Sequence, residues 1–448
     1  MAAAHPDDAT ARITGGTAAD IAESIRSLRD RRSLMPGDVL PSVRALAEEL
    51  GVNRNTVVAA YGQLARAGIV EAQGRAGTRI AGIDPVAQEG YAAQATLRDI
   101  ASGNPDPALI PDLSPVLRTL GGGPVLYGAP VLDPDLEAWA REWIGPDVPD
   151  AFSLTVTNGA ADAVERLLAQ SLGRDDAVAL EDPCFLSSIH TVRVGGYRPV
   201  PVPIDAEGMT VEGLRAVLET GVRAVISTPR AQNPTGASRS AARAAALQEV
   251  LADHPYVLVI EDDYFSLLSR QPFHSLVGPG HRRWALLRSL SKFIGPDIAV
   301  ALVASDADTA AGLAMRLRPG TTWVSHLLQR VAHGLLTDPE AVAQIERASL
   351  HYARRNAAVA RLLTEHGVPA SAGDGLSLWV ELPVPARSVL RPLAERGWLV
   401  RAGEDFRVGE QGAVAHRLRL TVHALTDAEA ALLAADVAAA VGTALPLE

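Results

Sequence analysis

Apolar positions in the first eighty residues recur with a helical period. Ile21, Ile25 and Leu28 predict a helix from Thr17 to about Leu34, which the run MPGD then breaks. Ser42 is a natural N-cap for a second helix that carries Val43, Leu46, Ala47 and Leu50 on one face. Gly51 and Val52 supply a tight turn, and Asn53 caps a third helix through Val57, Tyr61 and Leu64 to Ala67. Two short helices joined by a Gly turn make the helix-turn-helix unit. Ile69 and Val70, the turn-rich GRAGT at Gly74 to Thr78, and Ile80 then predict a small hairpin, or wing. Residues 1–82 are therefore expected to form a winged helix-turn-helix domain.

The pattern changes twice after that. Residues 83–99 show no sustained period and mix Gly, Pro, Ala and polar residues, as a linker does. From residue 100 to 448, apolar runs alternate with helical patterns: FSLTVT then AADAVERLLAQSL, DAVAL, YRPVPVPI, RAVIST, YVLVIE, WALLRSL and AVALVAS. Continuous apolar strands separated by helices predict an α/β domain, its mostly parallel sheet covered by helices on both faces. From about Leu328, long helices followed by LSLWVEL, GWLVRAG and LRLTV predict a small C-terminal α+β subdomain.

Composition narrows the class. A chain of 448 residues, 48% hydrophobic and 21% charged, suits a globular protein of two or three domains. No apolar run approaches the roughly 20 residues that span a bilayer, and MAAAHPDDAT lacks a basic region followed by an apolar core. The single cysteine, Cys184, fits a reducing compartment, so a cytoplasmic protein with no membrane or metal site is expected. The net charge of −11 argues against nucleic-acid binding on average, yet residues 1–83 hold ten arginines against nine acids. Of 41 basic side chains, one is lysine: Lys292. A lysine amine can condense with an aldehyde, which an always-protonated guanidinium cannot do.

Other chemistry surrounds that lysine in sequence order. In TNGAADAVE, Thr157 to Glu165, a strand ends in Asn-Gly where a helix begins, so backbone N–H groups at Asn158, Gly159 and Ala160 can cradle an anion. EDPCFLS carries Phe185, TPRAQNPTG carries Asn233, and VIEDDYFSLL delivers acids to the carboxyl end of a strand, where open α/β sheets bind ligands. SLSK contains Ser289 and Lys292.

These five motifs, in this order, resemble the fold type I, aspartate-aminotransferase-like enzymes that use pyridoxal 5'-phosphate (PLP). The resemblance implies that Lys292 holds PLP as an internal aldimine and that Asp262 keeps the pyridine nitrogen protonated, with Asp263 the competing assignment. It implies that Phe185 stacks on the ring, Asn233 and Tyr264 lie by the phenolic oxygen, and Ser289 and the Asn158–Gly159–Ala160 turn take the phosphate. Lys292, Asp262 and Tyr264 are thus the catalytic candidates. Tyr127 matches a tyrosine sent to the neighbouring subunit's phosphate. Arg419, with Arg417 as alternative, matches the substrate-carboxylate arginine. The family usually places an arginine where this chain has Ala299, a loss worth about 1.5–3 kcal/mol, and Arg230 or Arg288 are the candidates to replace it.

The string from Pro36 to Ile80 resembles the GntR-type DNA-binding domain, which puts Arg44, Arg54, Asn55 and Thr56 against double-stranded DNA and Gly74 at the wing tip. The whole chain resembles the MocR group of regulators, in which such a domain precedes an aminotransferase-like one. ASGNPDP, RAQNPTG, TTWVSHLLQ and GWLVRAGE look most like its PtsJ-like branch, associated with vitamin B6 metabolism. The resemblance implies a domain-swapped homodimer that responds to PLP or to an amine or B6-related effector. A catalytically active aminotransferase is the alternative.

Overall fold

The computed structural model describes residues 12–67, 69–72, 77–80, 97–317, 323–409 and 413–445. The chain divides near residue 86 into two compact units.

In the first unit, helices span Ala18–Asp30, Val43–Leu50 and Arg54–Arg66. Thr17 and Asp20 form a reciprocal capping box on the first helix, Ser42 Oγ accepts the Ala45 N–H, and Asn53 Oδ1 accepts the Asn55 N–H at 2.9 Å. Gly51 closes the second helix at φ 64°, a left-handed turn that favours glycine. The first helix stops at Asp30 rather than near Leu34, because Arg32 turns left-handed at φ 59° and the N–H groups of Ser33 and Leu34 fold back onto Leu28 O. Strands β1 (Val70–Ala72) and β2 (Thr78–Ile80) pair antiparallel as the wing, and Gly74 lies outside the described residues. Ile21, Ile25, Leu46, Val57, Leu64 and Ile80 form the buried core.

The second unit begins, among its described residues, with β3 (Arg98–Asp99). Its main sheet contains β4 (Ser153–Thr157), β5 (Ala177–Asp182), β6 (Arg198–Asp205), β7 (Gly208–Met209), β8 (Ala224–Ser227), β9 (Leu258–Asp262), β10 (Trp284–Ser289) and β11 (Ala301–Ser305), in the order β4-β11-β10-β9-β8-β5-β6-β7. Pairing is parallel from β10 through β9, β8 and β5 to β6, while β11 runs antiparallel to both neighbours. Strands β8 to β11 are buried at every position, which is why they read as unbroken apolar runs. Pro199, Pro201 and Pro203 strip N–H donors from β6, which suits a strand whose outer side meets only the two-residue β7.

The C-terminal subdomain has its own core and a three-stranded antiparallel sheet of β12 (Leu378–Glu381), β15 (Arg417–Leu420) and β14 (Arg401–Ala402). Its β13 (Trp398–Leu399) pairs in parallel with β3. Arg98 and Asp99 are therefore strand rather than linker, and Arg98 Nε lies 3.2 Å from Glu429. A two-residue strand carries no period that a sequence pattern can show. No helix of the described residues is long and apolar enough to cross a membrane.

Under the loop that follows β8, a buried polar chain ties three strands together. Ser227 Oγ donates to Glu181 at 2.7 Å, and Arg239 donates to Ser227 Oγ at 2.6 Å and to Glu261 at 2.7 Å. Arg239 and Glu261 are each 1% exposed, and burial raises the pKa of Glu181. Removing one partner of such a pair strands an uncompensated buried charge, so Arg239→Met should lower the unfolding free energy by about 3–5 kcal/mol. Chemical denaturation monitored by tryptophan fluorescence measures this; a loss below about 1 kcal/mol would be incompatible with that role.

Candidate functional site

The motifs at the ends of β4, β5, β8, β9 and β10 meet at the carboxyl edge of the sheet, where they bound a cavity of about 270 Å³. Asn158, Gly159, Ala160, Phe185, Asn233, Asp262, Tyr264, Ser289 and Lys292 all line it. So do Ser187, Ser188, Thr191 and Ser291, which the sequence motifs did not reveal, with Pro296 and Ala299. Serines and threonines on a helix face carry no periodic signal that separates a cavity lining from a solvated surface.

Lys292 sits in the short helix Ser291–Ile294 directly after β10, and its Nζ donates to Gly103 O at 2.6 Å. Asp262 ends β9 with one carboxylate oxygen, Oδ1, buried and lacking a hydrogen-bond partner. Burial first, then the negative charges of Asp263 and Glu181, push its pKa up to about 7, against the opposing pull of Lys292. The next residue serves the other face. Asp263 is wholly buried and accepts from Arg230 Nε and Nη2, at 2.8 and 2.9 Å, and from Arg288 Nε at 3.0 Å. Arg288 also binds Asp147 and lies 4.7 Å from the Trp143 ring. Neither arginine lines the cavity, so the expectation that one of them replaces the side chain missing at Ala299 fails: Asp263 and Asp147 already hold them.

Arg419 Nη1 donates to Asn233 Oδ1 at 3.2 Å, which leaves the amide NH₂ of Asn233 as its remaining donor group. The Arg419 guanidinium also binds Ala101 O and lies 4.9 Å from the Phe406 ring. Arg417, the alternative, pairs instead with Glu381 at 2.9 Å. Tyr264 gives its proton to Ala231 O at 2.6 Å, and its ring lies parallel to Phe185 with centroids 6.5 Å apart. At the helix Ala160–Ser171, Gly159 (φ 90°) stands at the N-cap without a side-chain bond. Tyr127 is not brought to the cavity of its own chain: it is 92% exposed, against Trp323.

A strap at residues 101–106 crosses this region through its backbone. Ala101 O accepts Arg419, Gly103 O accepts Lys292, Asn104 O pairs with His423 Nε2 at 2.9 Å, and the Asp106 N–H donates to Tyr352 OH at 3.1 Å. His423 and Tyr352 escaped sequence reasoning because they act on main-chain atoms. Burial lowers the pKa of His423.

In the first unit, Arg44, Arg54 and Asn55 stand exposed at the starts of the second and third helices, with Thr56 half-buried beside them. Arg26 lies near Glu23 and Arg29 near Asp30, as on a solvated helix face. Among the described residues, no group of three or more His, Cys, Asp or Glu could hold a metal ion.

Comparison with known proteins agrees with both halves. Residues 17–80 match the model of the gntR family of bacterial regulatory proteins. Over 426 residues, 95% of this chain and 98% of the other, the sequence is 47% identical to the vitamin B6 salvage pathway transcriptional repressor PtsJ of Salmonella typhimurium. It is 30% identical over 295 residues to the pyridoxine biosynthesis transcriptional regulator PdxR of Corynebacterium glutamicum, covering 62% of this chain and 64% of that one. A kynurenine aminotransferase from Pyrococcus horikoshii superposes with a TM-score of 0.71 at 20% identity, covering 79% of this chain and 93% of its own. The α-aminoadipate aminotransferase LysN of Thermus thermophilus gives 0.68 at 24% identity, over 78% and 92%. At these identities the likeness is one of fold. A GntR winged helix ahead of a fold type I aminotransferase-like body defines a class of DNA-binding transcription regulators. The chain belongs to the MocR-type group of that class.

The buried Asp262 makes a prediction about pH. Its folded-state pKa of about 7 exceeds the unfolded value of 3.8, so the folded protein keeps a proton that the unfolded chain releases, and stability falls as pH rises between the two. In protein freed of ligand, Asp262→Asn should match wild type near pH 4 and exceed it by about 2–4 kcal/mol above pH 7. Denaturation curves across that range test this; a difference that does not vary with pH would contradict it.

Proposed function

We propose that the protein is a homodimeric regulator of vitamin B6 metabolism that holds PLP at Lys292 and changes its DNA affinity when PLP, or an amine or B6-related effector, engages that site. The observation that carries this reading is the convergence on one cavity of a primary amine, a buried carboxylate oxygen lacking a partner, an aromatic face and a helix N-terminus. These fit, in turn, the aldehyde, the pyridine nitrogen, the ring and the phosphate of PLP. When bound, PLP supplies an aldehyde that amines exchange on and a ring that withdraws electrons. Asp262 would hold a proton at the ring nitrogen, and Asn233, its oxygen fixed by Arg419, would present its NH₂ to the phenolic oxygen. Phe185 would cover the ring face. The names of PtsJ and PdxR, both regulators of B6 pathways, support the choice of pathway.

A sensor needs a ligand that favours one arrangement over another. An aldehyde that takes the Lys292 amine removes the donor from Gly103 O, so ligand and strap compete for one nitrogen. Arg419, already bonded to Asn233 and Ala101 O, would have to exchange those bonds to capture a substrate carboxylate, which favours sensing over full transamination. Exposed Leu126, Tyr127 and Leu327 support a dimer contact.

Two measurements test this. DNA affinity of the wild-type protein should change when PLP is added, whereas Lys292→Ala should bind DNA without responding to PLP; an equal response in both would contradict the role of Lys292. Arg54→Ala should weaken DNA binding and reduce the slope of log affinity against log salt by about 1. An unchanged affinity and slope would remove Arg54 from the interface.

A further inference from the structure

We infer that this cavity seats the phosphate end of its ligand without a cation, and that it therefore accepts the unphosphorylated aldehyde pyridoxal on nearly equal terms with PLP. This rests on the reading that Lys292 captures a pyridoxal-type aldehyde.

The charges at the cavity wall carry the inference. Among the described residues of the wall, the side chains that carry charge near neutral pH are Lys292 and, once ionised, Asp262. With Lys292 committed to the aldehyde, no cationic side chain of the described wall is left for a phosphate dianion. Hydroxyls of Ser187, Thr191, Ser289 and Ser291, and the N–H groups that open the helix Ala160–Ser171, are what is left. The nearby guanidiniums of Arg230 and Arg288 are bound to Asp263 and Asp147 and do not reach the wall. Ala299 stands on the wall at φ 47° and contributes only a methyl group.

Taking a dianion out of water without a counter-charge is costly, and dipoles and hydroxyls offset only part of that cost. The neutral hydroxymethyl group of pyridoxal carries no such cost and can bond to the same hydroxyls. A site of this kind reads the aldehyde and the ring more than the phosphate, and so responds to the pool of free and phosphorylated vitamer aldehydes together.

Titrating the full chain with PLP and with pyridoxal, followed by absorbance of the Lys292 adduct, tests the inference. Pyridoxal concentrations are counted as the open aldehyde, because its hydroxymethyl group closes reversibly on the carbonyl. Pyridoxal should bind within about tenfold of PLP, and Ala299→Arg should tighten PLP about tenfold to a hundredfold while changing pyridoxal much less. Should that variant fail to fold, the wild-type ratio decides alone. PLP binding with pyridoxal weaker by more than about tenfold would overturn the inference and leave the Lys292 reading intact. No adduct with either aldehyde would overturn both.

Discussion

Two consecutive carboxylates at the end of one strand face opposite sides, and the rest of the site depends on that division. Asp263, the residue just past β9, goes into a pair of arginines, while Asp262, the last residue of β9, stays at the cavity. Because Asp263 takes Arg230 and Arg288, the sheet edge gains a neutralised buried cluster and the cavity gains no cation. Because Asp262 is buried without that help, its pKa rises to about 7, pushed up by desolvation and by like charges at Asp263 and Glu181. One residue of register separates a structural carboxylate from one with an unfilled hydrogen-bonding capacity.

The sheet supplies the platform for this arrangement. Loops after β4, β5, β8, β9 and β10 all start from its carboxyl edge, so motifs separated by up to about 130 residues meet around one amine. The Glu181–Ser227–Arg239–Glu261 chain fixes the bases of three of those loops from beneath. The strap at 101–106 closes the region with carbonyl oxygens rather than side chains, which couples its position to the donors Lys292, Arg419 and His423.

Much of this was legible in the sequence. Helical spacing and caps located the helix-turn-helix, and unbroken apolar runs located the buried parallel strands. The resemblance to fold type I enzymes, carried by the order of five motifs, singled out nine residues that the structure brings to the cavity. What was not legible depends on through-space partners. Tandem acids do not show which one faces a cavity, and free arginines in a string do not show that Asp263 binds them. Tyr127 reads like a site residue but is exposed in its own chain, against Trp323. The short β3 and the strap's main-chain acceptors have no side-chain pattern to read.

Lys292 is the only lysine of the chain, which makes the central claim unusually direct to test. Incubation of the full protein with PLP, reduction with borohydride and peptide mass spectrometry should place one pyridoxyl group on the peptide containing Lys292. A peptide map with that lysine unmodified would contradict the account.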